Sequence, residues 1–558
     1  MREFNEELQQ KKLTEIRHNE GEDLAEILSK KYGHPYTDFS VVPINTEALT
    51  LIPEEAARGA KVAAFGIKAN TVDVGILTPN NEHLEAVMEM LRNKKFVPNI
   101  FMVSEDSLEK AWSRYKEISH AEVSEVGVID VNEVELTRLL EEIRSVDDMK
   151  HSIEEGTKTK NLRSISKVLE IMIAGALATD ASDIHLEPEK EQVRLRLRLD
   201  GVLQHIAYFD NHVYQLSLSR IKIVSGLKLN IKKQAQDGRF SIRAGKDQIE
   251  IRTSIIPGSF GESIVLRILN PKAVALELPS LGVDDGLLKV LEREISKPHG
   301  MILNTGPTGS GKTTTLYSFL KRVNEPGIKI ITIEDPVEYR LPGVIQTQVR
   351  KGYSFGDGLR AILRQDPDII MVGEIRDVET AKIAINASLT GHMVFSTLHT
   401  NTAAGAIPRL LDLGVDIKVL GDALTVTMAQ RLVRKLCMKC KQEYAPNSEE
   451  RAVVDRIVAG LPEAYKKDAP REEYKLWKAP GCPACNGTGY KGREGLYEAV
   501  LMDESVVAVV LQSPTEHDIW KASRAQGILR MREHGILKVL RGLTSLDEVE
   551  RVVDLREE

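Results

Sequence analysis

Residues 306–313 read GPTGSGKT, the G-x-x-x-x-G-K-[ST] spacing that builds a phosphate-binding loop. Gly306, Gly309 and Gly311 let the backbone turn with its amides inward, and the N–H groups of Gly306, Thr308, Gly309, Ser310 and Gly311 can then cradle phosphate oxygens, with Pro307, which has no N–H, as part of the same loop. Lys312 supplies a point charge for the β- and γ-phosphates, the Thr313 hydroxyl suits Mg²⁺, and Thr314 completes the set. A second constellation uses all four cysteines, as CMKC (Cys437, Cys440) and CPAC (Cys482, Cys485). Two C-x₂-C knuckles can close a tetrahedral Zn²⁺ site, structural because four protein ligands leave no position for water; four reduced buried thiols are the plain alternative. Gly487 and Gly489 in CNGTG suit a tight turn beside the second pair.

A phosphate loop specifies a nucleotide and not a reaction. Hydrolysis also needs acids near the water and the metal. Glu334 ends IITIE with Asp335 after it, and Glu374 ends IIMVGE. Each closes an apolar run, so each is expected at the carboxyl end of a strand, where such sheets bind ligands. A lone glutamate there is commonly a solvated loop residue; two beside one phosphate loop are better read together. His392 and His399 flank MVFSTL, and taken alone each reads as structural.

The elements that must position these groups follow from pattern. MILNT (301–305), IKIITIE (328–334), IIMVG (369–373) and MVFST (393–397) are runs typical of buried parallel strands, alternating with helices. TTTLYSFLKRV after the loop reads as a helix. Together they predict a doubly wound α/β motor domain over 280–558, with the cysteine element at 437–485, an inserted arm (442–480) standing out from it, and C-terminal helices. Before it, 164–275 reads as mixed α+β. VRLRLRLDG (193–201) alternates apolar residues with Arg194, Arg196 and Arg198 and ends in an Asp-Gly turn, and 248–269 forms a hairpin turning at 257–261. Residues 145–163 are polar without an apolar period and read as a linker. Residues 1–144 form a small α/β domain with a helix over 8–31 (Leu13, Ile16, Leu24, Ile27, Leu28), a strand at 72–77 and an amphipathic helix at 81–93.

Composition narrows the function. With 558 residues, three or four domains are expected at about 150 residues each. The net charge of −7 and 5% aromatic content argue against a polyanion partner and base stacking. The longest stretch without Asp, Glu, Lys or Arg, 383–408, carries histidines, asparagines and threonines and does not suit hydrocarbon, and MREFNEELQQKK lacks the apolar core of a signal peptide. A cytoplasmic location is expected.

In order, GPTGSGKT, ITIEDPVEY (331–339), RQDPDIIMVGEIRD (364–377) and TGHMVFSTLHTN (390–401) resemble the Walker A, Asp box, Walker B and His box of the secretion ATPase superfamily. SDIHLEP (182–188), QDGRF (236–240) and PGSFGESIVLRIL (257–269) resemble the domain before its motor. The cysteines, GREGLYEAV (492–500) and GLTSLDEVERVV (542–553) resemble the GspE/PilB family of type II secretion and type IV pilus assembly ATPases. LIPEEAARGAKVAAFGI (51–67) and ILTPNNEHLEAV (76–87) extend the likeness toward the N-terminus.

The resemblance implies a RecA-like P-loop motor using ATP and Mg²⁺ with a Zn²⁺ element. Glu374 would stand near the attacking water, Glu334 would be the Asp-box acid, and His392 and His399 would sense the nucleotide. Arg252 and Arg267 would reach the phosphates on domain closure. It further implies a homo-hexamer, an inner-membrane platform protein as partner, peripheral membrane association through partners, and assembly of pilin or pseudopilin fibres. Three departures stand out, one being that the two cysteine pairs are separated by residues 441–481, wider than in a simple zinc ribbon. The Arg-Leu-Gly repeat of related cyclic di-GMP-binding domains is missing, so that ligand is not expected, and Ala235 replaces a frequent proline in KKQAQDGRF. The alternatives are a retraction or DNA-transfer motor, a non-hydrolysing scaffold, and a nucleic-acid-binding zinc protein built on the Arg194/Arg196/Arg198 face.

Overall fold

The computed structural model describes residues 21–39, 41–42, 44–68, 71–94, 96–115, 133–158, 162–244, 247–269, 276–467, 474–512 and 514–556. The chain divides into two compact units, Met1–Asp130 and Val131–Glu558.

In the first unit, β1 (Val62–Lys68) pairs antiparallel with β2 (Thr71–Ile76), and β2 pairs parallel with β3 (Val97–Met102). The expected amphipathic helix spans Leu84–Asn93 and buries Leu84, Val87, Met88 and Leu91, one stripe at helical spacing. Ser104 caps the helix Glu105–Ser113 by accepting the Ser107 N–H. Of the helix expected over 8–31, residues 21–32 are helical, but the buried residues are Ala25 and Ser29 while Leu24 and Ile27 are exposed; Leu13 and Ile16 lie outside the described residues.

The second unit opens with helices. Val146–Lys158 is one of them, which corrects the expected linker. Val146, Met149 and Ile153 are buried at spacings of three and four, a sparse stripe hidden among charges. A six-stranded antiparallel sheet follows, in the order β6-β5-β4-β9-β8-β7. Its strands are β4 (Asp183–Pro188), β5 (Val193–Leu199), β6 (Val202–Phe209), β7 (Gln236–Ala244), β8 (Asp247–Gly258) and β9 (Gly261–Leu269). Val193, Leu195, Leu197 and Leu199 are buried as the alternation requires, and Asp200 and Gly201 turn with φ of 48° and 85°. The arginines of β5 meet acids of β4 and its turn. Arg194 pairs with Glu187 and Glu189, Arg196 with Glu187, and Arg198 with Asp183. That neutralises the face a nucleic acid would need.

The motor sheet runs β12-β11-β13-β14-β10-β15-β18. It comprises β10 (Gly300–Thr305), β11 (Ile330–Glu334), β12 (Ile345–Gln348), β13 (Ile369–Val372), β14 (Met393–Leu398), β15 (Leu424–Leu436) and β18 (Tyr490–Leu501). All neighbours are parallel except β18, which runs antiparallel to β15. Met301, Leu303, Ile370 and Val372 feed the core on one face; Ile302, Ile369, Met371 and Phe395 feed the other. Burial on both faces explains why these strands read as continuous apolar runs. The arm between the cysteine pairs forms a two-stranded sheet of β16 (Gln442–Tyr444) and β17 (Leu476–Lys478) and a helix, Ser448–Ala459. It does not stand out as expected: Val454, Ile457 and Leu476 bury in the motor core.

Candidate functional site

β10 ends at Thr305, the loop occupies 306–311, and the helix Lys312–Val323 leaves it. Gly306, Gly309 and Gly311 have φ of 147°, 81° and 92°, where side chains are strained. Crowding adds to this: a Cβ on Gly306 would lie 2.5 Å from the Gln430 carbonyl oxygen, and one on Gly311 would lie 2.8 Å from Gln430 Nε2. Lys312 Nζ donates to the carbonyls of Gly306 (2.7 Å) and Pro307 (3.1 Å). Burial lowers its pKa and the Glu374 charge opposes that shift.

β11 and β13 are parallel neighbours, so Glu334 and Glu374 leave the sheet at the same edge as the loop. Glu334 is buried and accepts hydrogen bonds from Tyr317 (2.5 Å), Thr332 (2.6 Å) and Gln346 (3.2 Å). Burial raises its pKa against those three donors. Glu374 meets Arg376 on one oxygen and His399 Nε2, at 3.2 Å, on the other. His392 is not part of this cluster. It precedes β14 and its Nδ1 faces the Ala387 carbonyl at 3.0 Å, whereas His399 follows β14; the strand between them spans roughly 20 Å. Of the expected pair of histidines, His399 reaches the phosphate-loop cavity and His392 does not line it.

The loop, Glu334, Glu374 and His399 share a cavity of about 480 Å³ with Arg267 and Leu269 of the preceding sheet and with Ser182, just before its strand β4. Arg267 is half exposed and its Nε donates to Asp183 Oδ1 at 2.9 Å. Burial pushes the Asp183 carboxyl up, and hydrogen bonds from Arg267 and Ser182 with the Arg198 charge outweigh it, so its pKa falls. Arg252 lies directly across from Arg267 but turns elsewhere, donating to the Val337 carbonyl (2.7 Å) and pairing with Glu338 (2.8 Å). It holds the end of the Asp box and does not line the cavity. Asp335, expected beside Glu334, lines it, and so do Arg376 and Arg493, which the motifs did not single out. Arg376 stands in GEIRD, two residues after Glu374, and Arg493 follows Gly492 in GREG, neither with a pattern of its own. Thr313, Asp335 and Glu374 bring oxygen donors to this cavity, the ligand class Mg²⁺ takes.

The four cysteines meet as expected. Their sulfurs lie within 4.8 Å of one another, and three pairs stand at 3.9, 3.9 and 3.7 Å. A tetrahedron with Zn–S bonds of ~2.3 Å has edges of about 3.8 Å, so the residues fit Zn²⁺. Cys485 Sγ also accepts the N–H groups of Cys482 and Gly489, each at 3.2 Å, which favours a thiolate. Elemental analysis should find about one zinc per chain. Cys482→Ser should lower the melting temperature while leaving nucleotide binding at the loop. Zinc-free protein with unchanged melting would contradict this.

Comparison with known proteins places these features together. The family described as type II/IV secretion system protein matches residues 158–551, and the MshEN domain family matches residues 32–122. The type II secretion system ATPase E of Vibrio cholerae is 38% identical over 523 residues, covering 92% of this chain and 99% of that protein. The type IV pilus assembly ATPase PilB of Thermus thermophilus is 38% identical over 533 residues, 95% of this chain and 57% of that protein. Among solved structures, the Legionella pneumophila ATPase DotB aligns over 69% of this chain and 94% of its own, at 22% identity and a TM-score of 0.49. Among the described residues, no helix is long and apolar enough to cross a membrane.

Proposed function

Because the chain belongs to the type II/IV secretion system protein family, and is an ATPase by that membership, we propose that it hydrolyses ATP in the cavity between the phosphate loop and the Arg267 wall and uses the cycle to drive fibre assembly. The observation that carries this reading is the shared cavity itself, in which Lys312, Glu374, His399 and Arg267 face one space from two subdomains. The loop amides and Lys312 bind the phosphates. Glu374, held between Arg376 and His399, orients the attacking water. Mg²⁺, when bound, screens charge between phosphates, and Thr313 with nearby carboxylates would hold it. Glu334, already engaged by three protein donors, fixes the end of β11 beside the loop. Arg267 neutralises charge that develops on the phosphates as the preceding sheet approaches.

The assembled form of this proposal is a homo-hexamer on the cytoplasmic face of an inner membrane, working against a platform protein to add pilin or pseudopilin subunits. The support is relatives named for type II secretion and for type IV pilus assembly. Cyclic di-GMP control is left out, because the Arg-Leu-Gly repeat is missing. If subunits complete one another's sites, specific ATPase activity should rise with protein concentration and plateau as the oligomer forms. Activity measured alongside light scattering tests this. A fully active monomer would overturn the oligomeric part and leave the cavity assignment standing.

A further inference from the structure

The tetracysteine element has a surface that faces the preceding domain. Asn486 follows the last cysteine and adopts φ of 51°. Its Oδ1 accepts the N–H of Val146, the first residue of the helix Val146–Lys158, at 3.1 Å. That donor has no partner within its own helix. Six residues on, the Gly492 N–H donates to Oδ2 of Asp200, in the β5–β6 turn, at 3.0 Å. The two bonds run in opposite senses. In one the knuckle supplies a side chain to the preceding domain's backbone; in the other that domain supplies a side chain to the knuckle strand's backbone. The helix and the turn are separate points on one body, so two bonds restrain rotation where a single bond would leave a pivot.

The position of this pair matters for the chemistry. Gly492 adjoins Arg493, which lines the nucleotide cavity, and Leu432 on the neighbouring β15 lines it too, five residues before Cys437. Arg267, on the opposite wall, belongs to the sheet whose β5–β6 turn is held. From these contacts we infer that residues 486–492 form a latch that sets the distance between the Arg267 wall and the phosphate loop, with Asn486 and Asp200 as positioning residues. The tetracysteine site stiffens the latch by fixing both ends of the loop that carries Asn486: Cys485 N–H bonds the Cys482 carbonyl (3.1 Å), and Cys437 N–H bonds the Gly489 carbonyl (2.9 Å). This inference rests on the proposed hydrolysis site.

The test is the double variant Asn486→Gly with Asp200→Gly. Glycine keeps the left-handed backbone at both positions (φ of 51° and 48°) and removes only the two acceptors. In the full chain, hydrogen exchange at the amides of residues 146 and 492 should accelerate, with zinc content and melting temperature unchanged. The turnover number should fall roughly tenfold to a hundredfold while KM for ATP stays within about twofold, because a small misplacement of a reacting wall costs rate more than binding. Asp200→Asn, which keeps an acceptor, should restore most of the rate when paired with wild-type Asn486. Unchanged exchange at both amides would show that there is no latch. Faster exchange with full turnover would show that the latch positions nothing. Loss of zinc or of melting temperature would show that the two residues serve the knuckle's own fold; each of these results overturns the inference. The exchange readout does not depend on catalysis, so a wild-type chain without ATPase activity would sink the hydrolysis reading separately.

Discussion

Glu374→Gln should bind ATP within about threefold of the wild-type affinity and lose turnover by 10² to 10⁴, the range for removing a group that acts on the attacking water. Glutamine keeps the shape and can still face His399 and Arg376, so the cavity should persist. What disappears is the charge that aligns and accepts from water, an interaction made chiefly in the transition state. Lys312→Ala should differ in kind. Lys312 opens the helix that leaves the loop, and its Nζ folds back onto the Gly306 and Pro307 carbonyls, so its loss should weaken ATP binding as well as turnover. Equilibrium nucleotide binding and steady-state hydrolysis on both variants separate the cases. Near-normal turnover in Glu374→Gln would remove this residue from the chemistry.

Arg267→Ala should also act on rate, by about 10³-fold, the scale on which an arginine that neutralises transition-state charge operates. The structure supplies its control. Arg267→Ala takes one of two arginines from the buried Asp183, so part of any loss could reflect that carboxylate. Arg267→Lys keeps a charge for Asp183 but forfeits the bidentate fork, and it should remain slow if the fork is what matters. Arg252→Ala should cost less than Arg267→Ala, because Arg252 holds Val337 and Glu338 and does not line the cavity. Arg194→Ala should do little, since its partly exposed pairs with Glu187 and Glu189 are worth about 1 kcal/mol or less. Turnover and melting temperature should be measured on all four. If Arg267→Ala matches Arg194→Ala, the arginine is a surface residue.

The elements that were legible carry strong periodic or spacing signals. The four parallel strands showed as apolar runs because both faces of the sheet are covered, and β5 showed as strict alternation because one face is not. Glycine at 306, 309 and 311 announced a backbone that other residues would strain. The four cysteines announced one another. What failed had weaker signals. Among its described side chains the helix Val146–Lys158 buries three amid charges, too few for composition to reveal. The arm at 442–480 looked detached because its length says nothing about where Val454 and Ile457 pack. His392 and His399 looked equivalent in sequence, and only the direction of β14 separates them by the length of a strand. Arg252 and Arg267 face each other across one ladder, yet Glu338, far away in sequence, draws one of them aside. Such tertiary partners cannot be read from local pattern.

The central claim is that Arg267 and the phosphate loop close on one nucleotide in the transition state. The affinities of ADP and of ADP–aluminium fluoride, measured side by side on the wild-type oligomer and on Arg267→Ala, test it most directly. The expected result is an ADP affinity unchanged within about threefold and an affinity for the analogue reduced in proportion to the lost turnover, about 10³-fold, since a group serving only the transition state is felt only by its mimic. Equal loss for both ligands, or no loss for either, would contradict the claim.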